Sequence, residues 1–316
     1  MRALITELIW NEGIEELAKH GFEVYYDERL WENRGKLLEM VKQYDALIVR
    51  NQTKVDQELL NAGSRLKVVG RLGVGMDNID TAAAKKRGIQ VVYGRHANAT
   101  SVAEYVMAAM LTAHRPLHLA DDDIRAGNWN RKKFTGGEIA GKTLGLIGLG
   151  EISHRVAKRA SAFGMKVMGY DPFITENDFI ISETGVVLRE TLEDLLAESD
   201  FVSIHVPLTP ATHYLISETE LNKMKPAAYI INTSRGGIIN ETALAAALKQ
   251  QTIAGAFLDV LETEPISHSN KLLSCETAMI TPHIAGLTDE SQIRTSLLVA
   301  KEVVKVLNGE RSLCAI

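Results

Sequence analysis

Short apolar runs alternate with amphipathic stretches along almost the whole chain. In the first 96 residues, runs at 3–5, 22–25, 46–49, 67–69 and 89–92 have the length and branching of buried strands. Between them, 11–20, 37–43, 55–61 and 81–87 carry apolar positions at helical spacing, and Gly21 and Gly88 sit where two of these helices need a left-handed end. Residues 101–119 read as one long helix, with Ser101 as N-cap, Glu104 completing a capping box, and a bend at Pro116. The stretch 121–135 is polar and reads as irregular. From Gly141 the alternation restarts, with strands at 143–147, 165–170, 201–205, 228–232, 254–258 and 278–281. Helices at 152–163, 191–198, 218–224 and 241–249 separate them, and 288–307 forms a last amphipathic helix. Strands alternating with helices predict parallel sheets covered on both faces. The expected fold is α/β, with two doubly wound, Rossmann-like domains and a ligand cleft between them.

Length agrees, because 316 residues exceed one typical core and suggest about two domains. No flexible linker interrupts the pattern, so the junctions near 97–101 and 285–288 are expected to be compact. An apolar content of 46% and a charged content of 24% are those of an ordinary globular protein. A net charge of −5 gives no reason to expect nucleic acid or an anionic membrane as partner. No run approaches the roughly 18–20 apolar residues of a membrane span. Only Cys275 and Cys314 occur, which excludes a disulfide scaffold and fits a reducing compartment. The N-terminus, with Glu7 inside its apolar run, is too short for a secretion signal, so the expected location is cytoplasmic.

The most informative stretch is KTLGLIGLGEISHRVAKRASAFGMKVMGYDP, residues 142–172. It reads as strand, glycine turn, helix, strand and acid, the βαβ unit that binds a dinucleotide. Gly148 allows the tight turn, and Gly150 lets the backbone approach a pyrophosphate on the helix N-terminus. Asp171, 21 residues after Gly150, is placed to accept the adenosine ribose hydroxyls and to repel a 2′-phosphate, so NAD is expected over NADP. Ser153 stands where the fingerprint has its third glycine, a position that serves close helix–strand packing.

Three later segments put polar groups at the ends of apolar strands, where an open parallel sheet borders its ligand crevice. Arg235, in INTSRGG, is suited to clamp a carboxylate, although for a single arginine a structural ion pair is the more ordinary reading. Asp259, Glu262 and Glu264, in LDVLETEP, are by default solvated loop carboxylates. His283, in ITPHIAG, brings an imidazole, a side chain suited to proton exchange with a carbinol or carbonyl oxygen, although a lone histidine is more often a hydrogen-bonded structural one. His205 ends a strand on the same edge and reads as a lining residue without proton transfer. His114 and His118 have helical spacing, but Pro116 lies between them and no acidic ligand follows, so no metal site is expected.

The combination GLGEIS…YDP, NTSRGG, DVLETEP and TPHIAG, in this order and spacing, resembles the D-isomer-specific 2-hydroxyacid dehydrogenases over essentially the whole chain. VRNQTKV (49–55), GRLGVGMDNID (70–80) and NWNRKKFTGGEIAGKTLG (128–145) resemble the phosphoglycerate-dehydrogenase branch. The resemblance implies a catalytic trio. Arg235 would bind the substrate carboxylate and polarise the C2 carbonyl. His283 would be the acid–base, and Glu264 would orient its ring and stabilise its protonated form, leaving Glu262 an ordinary loop residue. The cofactor would be NAD, bound by Gly148, Gly150, the amides of Glu151 and Ile152, Asp171, and His205, Val206 and Pro207. Thr233, Ser234, Arg235, Asp259, His283 and Gly286 would complete its site on the nicotinamide side. The amides of Val74 and Gly75 would hold the substrate carboxylate.

The same resemblance implies a discontinuous substrate domain, 1–97 with 287–316, and an NAD domain, 98–286. Glu151 replaces a basic residue common in relatives, and its side chain is expected to face solvent. Arg50, Arg71 and Arg131 match positions where phosphoglycerate-type relatives carry basic residues near a distal anion. They favour a small 2-hydroxy or 2-keto acid with a second anion, 3-phosphoglycerate-like or sulfolactate-like. A glyoxylate/hydroxypyruvate reductase is the alternative enzyme, and a corepressor-like, NAD-sensing interaction module the alternative of another class. Because the sequence stops at Ile316, serine feedback through a regulatory domain is not expected. A homodimer through residues 101–138, with Trp129 as an interface anchor, is expected.

Overall fold

The computed structural model describes all 316 residues. From the N-terminus run β1 (Arg2–Ile5), α1 (Asn11–Lys19), β2 (Glu23–Tyr26), α2 (Arg34–Val41), β3 (Ala46–Val49), α3 (Gln57–Ala62), β4 (Val68–Arg71), α4 (Thr81–Lys86) and β5 (Gln90–Tyr93). There follow α5 (Ala99–His114), α6 (Leu117–Arg125), β6 (Thr143–Ile147), α7 (Glu151–Ala162), β7 (Lys166–Tyr170), α8 (Phe179–Thr184), β8 (Val187–Leu188) and α9 (Leu192–Glu198). The chain closes with β9 (Phe201–Ile204), α10 (Glu218–Leu221), β10 (Tyr229–Asn232), α11 (Glu241–Lys249), β11 (Gly255–Leu258), β12 (Ala278–Ile280) and α12 (Asp289–Leu307). It divides into two compact units, residues 1–98 with 287–316, and residues 99–286.

The first unit holds a parallel five-stranded sheet in the order β2-β1-β3-β4-β5. Alternate residues of its strands feed two cores. Leu4, Leu47 and Val69 pack on one face with Leu37, Leu59 and Leu60, while Ala3, Ile5, Ile48 and Val68 pack on the other with Leu17, Val299 and Val303. This period-two burial on both faces is why the strands read as continuous apolar runs. The strand order reverses direction between β1 and β3, which makes the carboxyl ends of these two strands the switch point of the sheet.

The second unit holds a parallel seven-stranded sheet, β12-β11-β10-β9-β6-β7-β8. Leu144, Leu146, Phe201, Ile231 and Phe257 point into the α5/α7 side, and Ile147, Val202, Ile204, Ile230 and Leu258 into the α9/α11 side. The switch point here lies between β6 and β9, directly beside the glycine turn.

Several local expectations change. Ser101 is not an N-cap: α5 starts at Ala99, and Ser101 lies buried inside it. The expected single helix stops at His114, and Pro116 becomes the residue before a separate helix, α6. Pro116 lacks an N–H, and that missing donor costs nothing at a helix start. Residues 121–125, expected to be irregular, complete α6. The third helix begins two residues late because Asp56 caps it by accepting from Leu59 N–H, while Val55 bridges to Ile79. α8 and β8 were not expected; β8 is two residues long and pairs only with Met168 and Gly169.

Candidate active site

The glycine turn and the residues His205, Arg235, Asp259 and His283 all follow the carboxyl ends of strands in the seven-stranded sheet. Gly148 follows β6 with φ +86°, and a Cβ there would meet Val206 Cγ1 at 2.7 Å and His205 O at 2.8 Å, so only glycine fits the turn. Gly150 is the N-cap of α7, no side chain caps that helix, and the space above Gly150 is open. Free N–H groups at a helix start are the donors that a pyrophosphate uses. Ser153 is fully buried and donates its hydroxyl to Gly148 O at 2.5 Å, so the residue replacing a glycine ties the turn to the helix. Asp171 accepts Leu149 N–H and Phe173 N–H, both at 2.9 Å, which fixes its carboxylate beside the turn.

Glu151 is not free in solvent. It accepts from Arg155 Nε at 2.9 Å and Nη2 at 2.6 Å, and Arg155 also donates to Thr100 Oγ1 at 2.8 Å. The acid at this unusual position is therefore charge-balanced one turn along its own helix. Ile152 is half-buried beside it.

Two buried polar atoms at the ends of β9 and β10 lack a partner, His205 Nδ1 and Thr233 Oγ1. Buried polar groups are normally satisfied, so unpaired atoms at the carboxyl ends of two neighbouring strands, one of them on the histidine beside the glycine turn, fit a ligand that brings its own donors and acceptors. A dinucleotide suits this residue set. Burial pushes the His205 imidazole down to about 3, leaving it neutral at working pH, with Nε2 against Ser203 Oγ at 2.9 Å. Val206 is half-buried and Pro207 exposed on the segment that follows.

Arg235 is held by a residue not singled out beforehand. Asn232, the buried last residue of β10, accepts Ser234 N–H at 3.0 Å and donates to Arg235 O at 2.9 Å. Ser234 donates to Ile204 O at 2.8 Å, and Arg235 Nη1 donates to Ser234 O at 2.6 Å. A Cβ on Gly236 would lie 1.9 Å from Leu261 O, so a glycine lets the Arg235 loop press against the loop bearing Glu264. Glu264 Oε1 accepts Leu261 N–H at 3.0 Å, and Oε2 sits 2.8 Å from His283 Nδ1. Burial pushes the Glu264 carboxyl up. The hydrogen bonds from His283 and Leu261 and the charges of His283 and Arg235 outweigh it and hold the group below the usual carboxylate range. Geometry thus gathers Arg235, Glu264 and His283.

His283 has φ +56°, a strained conformation for a non-glycine residue. Asp259 shows what holds it there. This carboxylate is 1% exposed and accepts Thr281 Oγ1 at 2.6 Å, Ile284 N–H at 2.7 Å and Ala285 N–H at 2.7 Å. Because Thr281 spends its proton on Asp259, Tyr105 of α5 is the donor in the 2.6 Å contact with Thr281. Expected as a wall of the nicotinamide site, Asp259 is engaged here as the anchor of the loop that carries His283 and ends at Gly286. Glu262, expected to be an ordinary loop residue, is paired with Glu241 at the start of α11, the backbone N–H of each donating to the carboxylate of the other.

In the first unit, Arg50 and Arg71 end or follow the adjacent strands β3 and β4, with Val74 and Gly75 just beyond. The Arg50 guanidinium is half-buried and makes no hydrogen bond or ion pair; burial pushes its pKa down, against the opposing charge of Glu7. Arg71 differs. Its guanidinium folds back across Gly73 and donates to Leu72 O at 2.9 Å. Arg131 belongs to the other unit, exposed in the segment after α6, so the three arginines do not form one cluster within a unit. No group of three or more His, Cys, Asp or Glu side chains is placed to hold a metal ion, and no helix is long and apolar enough to cross a membrane.

A seven-stranded doubly wound sheet with a GxG turn at its switch point and an acid after the next strand defines a dinucleotide-binding domain. The chain belongs to the D-isomer-specific 2-hydroxyacid dehydrogenases: the family's "D-isomer specific 2-hydroxyacid dehydrogenase, NAD binding domain" matches residues 107–285. It is 42% identical over 309 residues to D-3-phosphoglycerate dehydrogenase of Archaeoglobus fulgidus, covering 98% of this chain and 58% of that protein. It is also 41% identical over 304 residues to (S)-sulfolactate dehydrogenase of Chromohalobacter salexigens, covering 96% of this chain and 97% of that one. Among solved structures, a glyoxylate reductase from Paecilomyes thermophila superimposes with a TM-score of 0.86 at 32% identity, covering 100% of this chain and 98% of that one. The chain spans just over half the length of the phosphoglycerate dehydrogenases it matches.

Proposed function

We propose that this protein is an NAD-dependent dehydrogenase acting at C2 of a small 2-hydroxy or 2-keto acid that carries a second anion. The observation that carries the reading is the 2.8 Å His283–Glu264 contact, with the Arg235 charge acting on the same carboxylate, at the edge of the sheet that bears the glycine turn. NAD, held by the glycine turn of residues 148–150 and by Asp171, would supply the hydride chemistry at C2. The chain's own residues do the rest. Arg235 binds the substrate carboxylate and draws electron density from the C2 oxygen, and the Val74 and Gly75 amides add donors. His283 Nε2 takes the hydroxyl proton during oxidation and returns it during reduction. Glu264 occupies Nδ1, which fixes the tautomer and the orientation of the ring. Gly148, Gly150 and the α7 N-terminus take the pyrophosphate, Asp171 the ribose, and Thr233 and His205 the nicotinamide side.

The unpartnered Arg50 guanidinium supports a substrate with a distal oxyanion, phosphate or sulfonate. Turnover of 3-phosphoglycerate and sulfolactate, measured beside D-glycerate and glyoxylate, separates the two sources. Tight NAD binding with no turnover of any 2-hydroxy acid would sink the enzyme reading in favour of an interaction module. One observation favours the glyoxylate/hydroxypyruvate alternative: Arg71 is folded onto its own loop. Replacing Arg131 by Ala should harm phosphorylated or sulfonated substrates more than glyoxylate, and equal losses would remove the argument for a second anion.

A homodimer through residues 101–138 fits the exposed apolar side chains there. No residue of α6 is buried, and Leu117 and Trp129 are 69% and 77% exposed. Two unpaired cysteines suit a cytoplasmic location.

A further inference from the structure

Glu7 lies at the switch point of the five-stranded sheet, just past β1, and is 3% exposed. All four N–H groups of residues 50–53, just past β3, donate to it. Oε1 accepts Arg50 N–H at 2.8 Å and Thr53 N–H at 2.9 Å, and Oε2 accepts Gln52 N–H at 2.8 Å and Asn51 N–H at 3.1 Å. Asn78 closes the other side by donating Nδ2 to Arg50 O at 3.1 Å and Thr53 O at 2.8 Å. Thr6 Oγ1 meets Thr53 Oγ1 at 2.7 Å. Successive backbone N–H groups converging at the carboxyl end of a parallel sheet form a ready anion site. Here the chain fills that site from inside with its own carboxylate.

We propose that Glu7 is a positioning residue for anion recognition. It saturates the backbone donors of 50–53, so an incoming anion gains nothing from that backbone, and it locks the loop that presents the Arg50 guanidinium. The substrate's distal oxyanion is then read by a side chain whose base is rigid, which lowers the ordering cost of binding. Such a role acts through Arg50 and touches neither C2 nor the cofactor. The inference rests on the proposed 2-hydroxyacid reading and deepens it.

The test is Glu7→Gln in the full chain. One amide oxygen can take at most two of the four N–H groups, and the NH2 faces the other two. The expected result is a fall of about tenfold or more in kcat/KM for 3-phosphoglycerate or sulfolactate relative to D-glycerate, carried by KM. Backbone hydrogen exchange at 50–53 should rise. Added to Arg50→Ala, Glu7→Gln should cost nothing further on the anionic substrate, because both changes remove one interaction. Should Glu7→Gln fold poorly, Asn78→Ala loosens the same loop from its carbonyl side and should show the same selective loss. Equal losses on anionic and plain substrates, or losses that add to Arg50→Ala, overturn the proposal. If wild type turns over no 2-hydroxy acid, the enzyme reading fails by itself, and calorimetric binding of 3-phosphoglycerate and sulfolactate decides. Weaker binding by Glu7→Gln supports the proposal; equal binding, or no binding by wild type, overturns it.

Discussion

Replacing Asp259 by Asn separates two roles that one carboxylate at a strand end can play. The native group is 1% exposed and accepts three hydrogen bonds of 2.6–2.7 Å from Thr281, Ile284 and Ala285. Bonds to a charged acceptor contribute about 1.5–3 kcal/mol each and neutral ones about 0.5–1.5, so two retained bonds lose roughly 2 kcal/mol together. The amide NH2 then faces the Ala285 N–H, and a buried donor without an acceptor costs about 1–3 kcal/mol more. The total, about 3–5 kcal/mol, falls on a five-residue loop whose central His283 already sits at φ +56°. That strain pulls in the same direction by about 1 kcal/mol. Each 1.4 kcal/mol expressed as a displaced imidazole removes tenfold from the active population, so kcat should fall by about 100-fold even if the loop absorbs half the penalty. NAD affinity, measured by fluorescence titration, should change by less than about threefold, and unfolding should remain cooperative. A variant with near-native kcat and NAD affinity weakened by about tenfold would refute the anchor role and return Asp259 to direct cofactor contact.

His283→Ala should reduce turnover by about 10²–10⁴, the usual yield of a positioned acid–base, with NAD affinity retained; unchanged turnover would remove His283 from the chemistry. Asp171→Ser should shift the NAD:NADP preference by about tenfold toward NADP, since a carboxylate that repels a 2′-phosphate is gone. Because Leu149 and Phe173 N–H lose their acceptor, affinity for NAD itself should also weaken, and preserved strict NAD preference would contradict the assignment. For pH, Asp200 is the clearest group. Burial pushes its carboxyl up, yet the Thr143 N–H and the Lys225 ammonium hold it below the usual range. A depressed carboxyl stabilises the fold above its unfolded pKa and loses that contribution as pH falls through the folded value. Asp200→Asn should therefore lower the melting temperature at pH 7 and cost progressively less toward about pH 3, and a deficit that is constant with pH would refute it.

The features that were legible in the sequence are those encoded within a few residues. The stretch 142–172 carries its strand, turn, helix and acid in one local unit, so Gly148, Gly150 and Asp171 came out together. The sheet strands were legible because burial on both faces demands unbroken apolar runs. What escaped depends on distant partners. Ser101 and Glu104 look like a capping box locally, but α5 starts two residues earlier, and Ser101 is buried within it. Glu7 looks like a break in an apolar run until residues 50–53 are brought beside it. Its one visible signal was a carboxylate where a strand ends. Asn232 gave a similar hint, as an amide at a strand end just before Ser234 and Arg235.

The two units apply one rule in opposite ways. At the switch point of the seven-stranded sheet, a bare glycine turn and an uncapped helix leave N–H groups for an outside anion, and even the out-of-place Glu151 is neutralised by Arg155 rather than left facing that end. At the switch point of the five-stranded sheet, Glu7 consumes the backbone donors of residues 50–53, and under the proposed function charge recognition falls to the Arg50 side chain. A backbone amide site takes the anionic part common to every dinucleotide, whereas a guanidinium on a long side chain can be exchanged without rebuilding the sheet. The division suits a family in which one cofactor serves many acids. On the proposed function, a new distal group would need changes at positions 50, 71 and 131 and none at Gly148, Gly150, Asp171 or the Arg235–Glu264–His283 constellation.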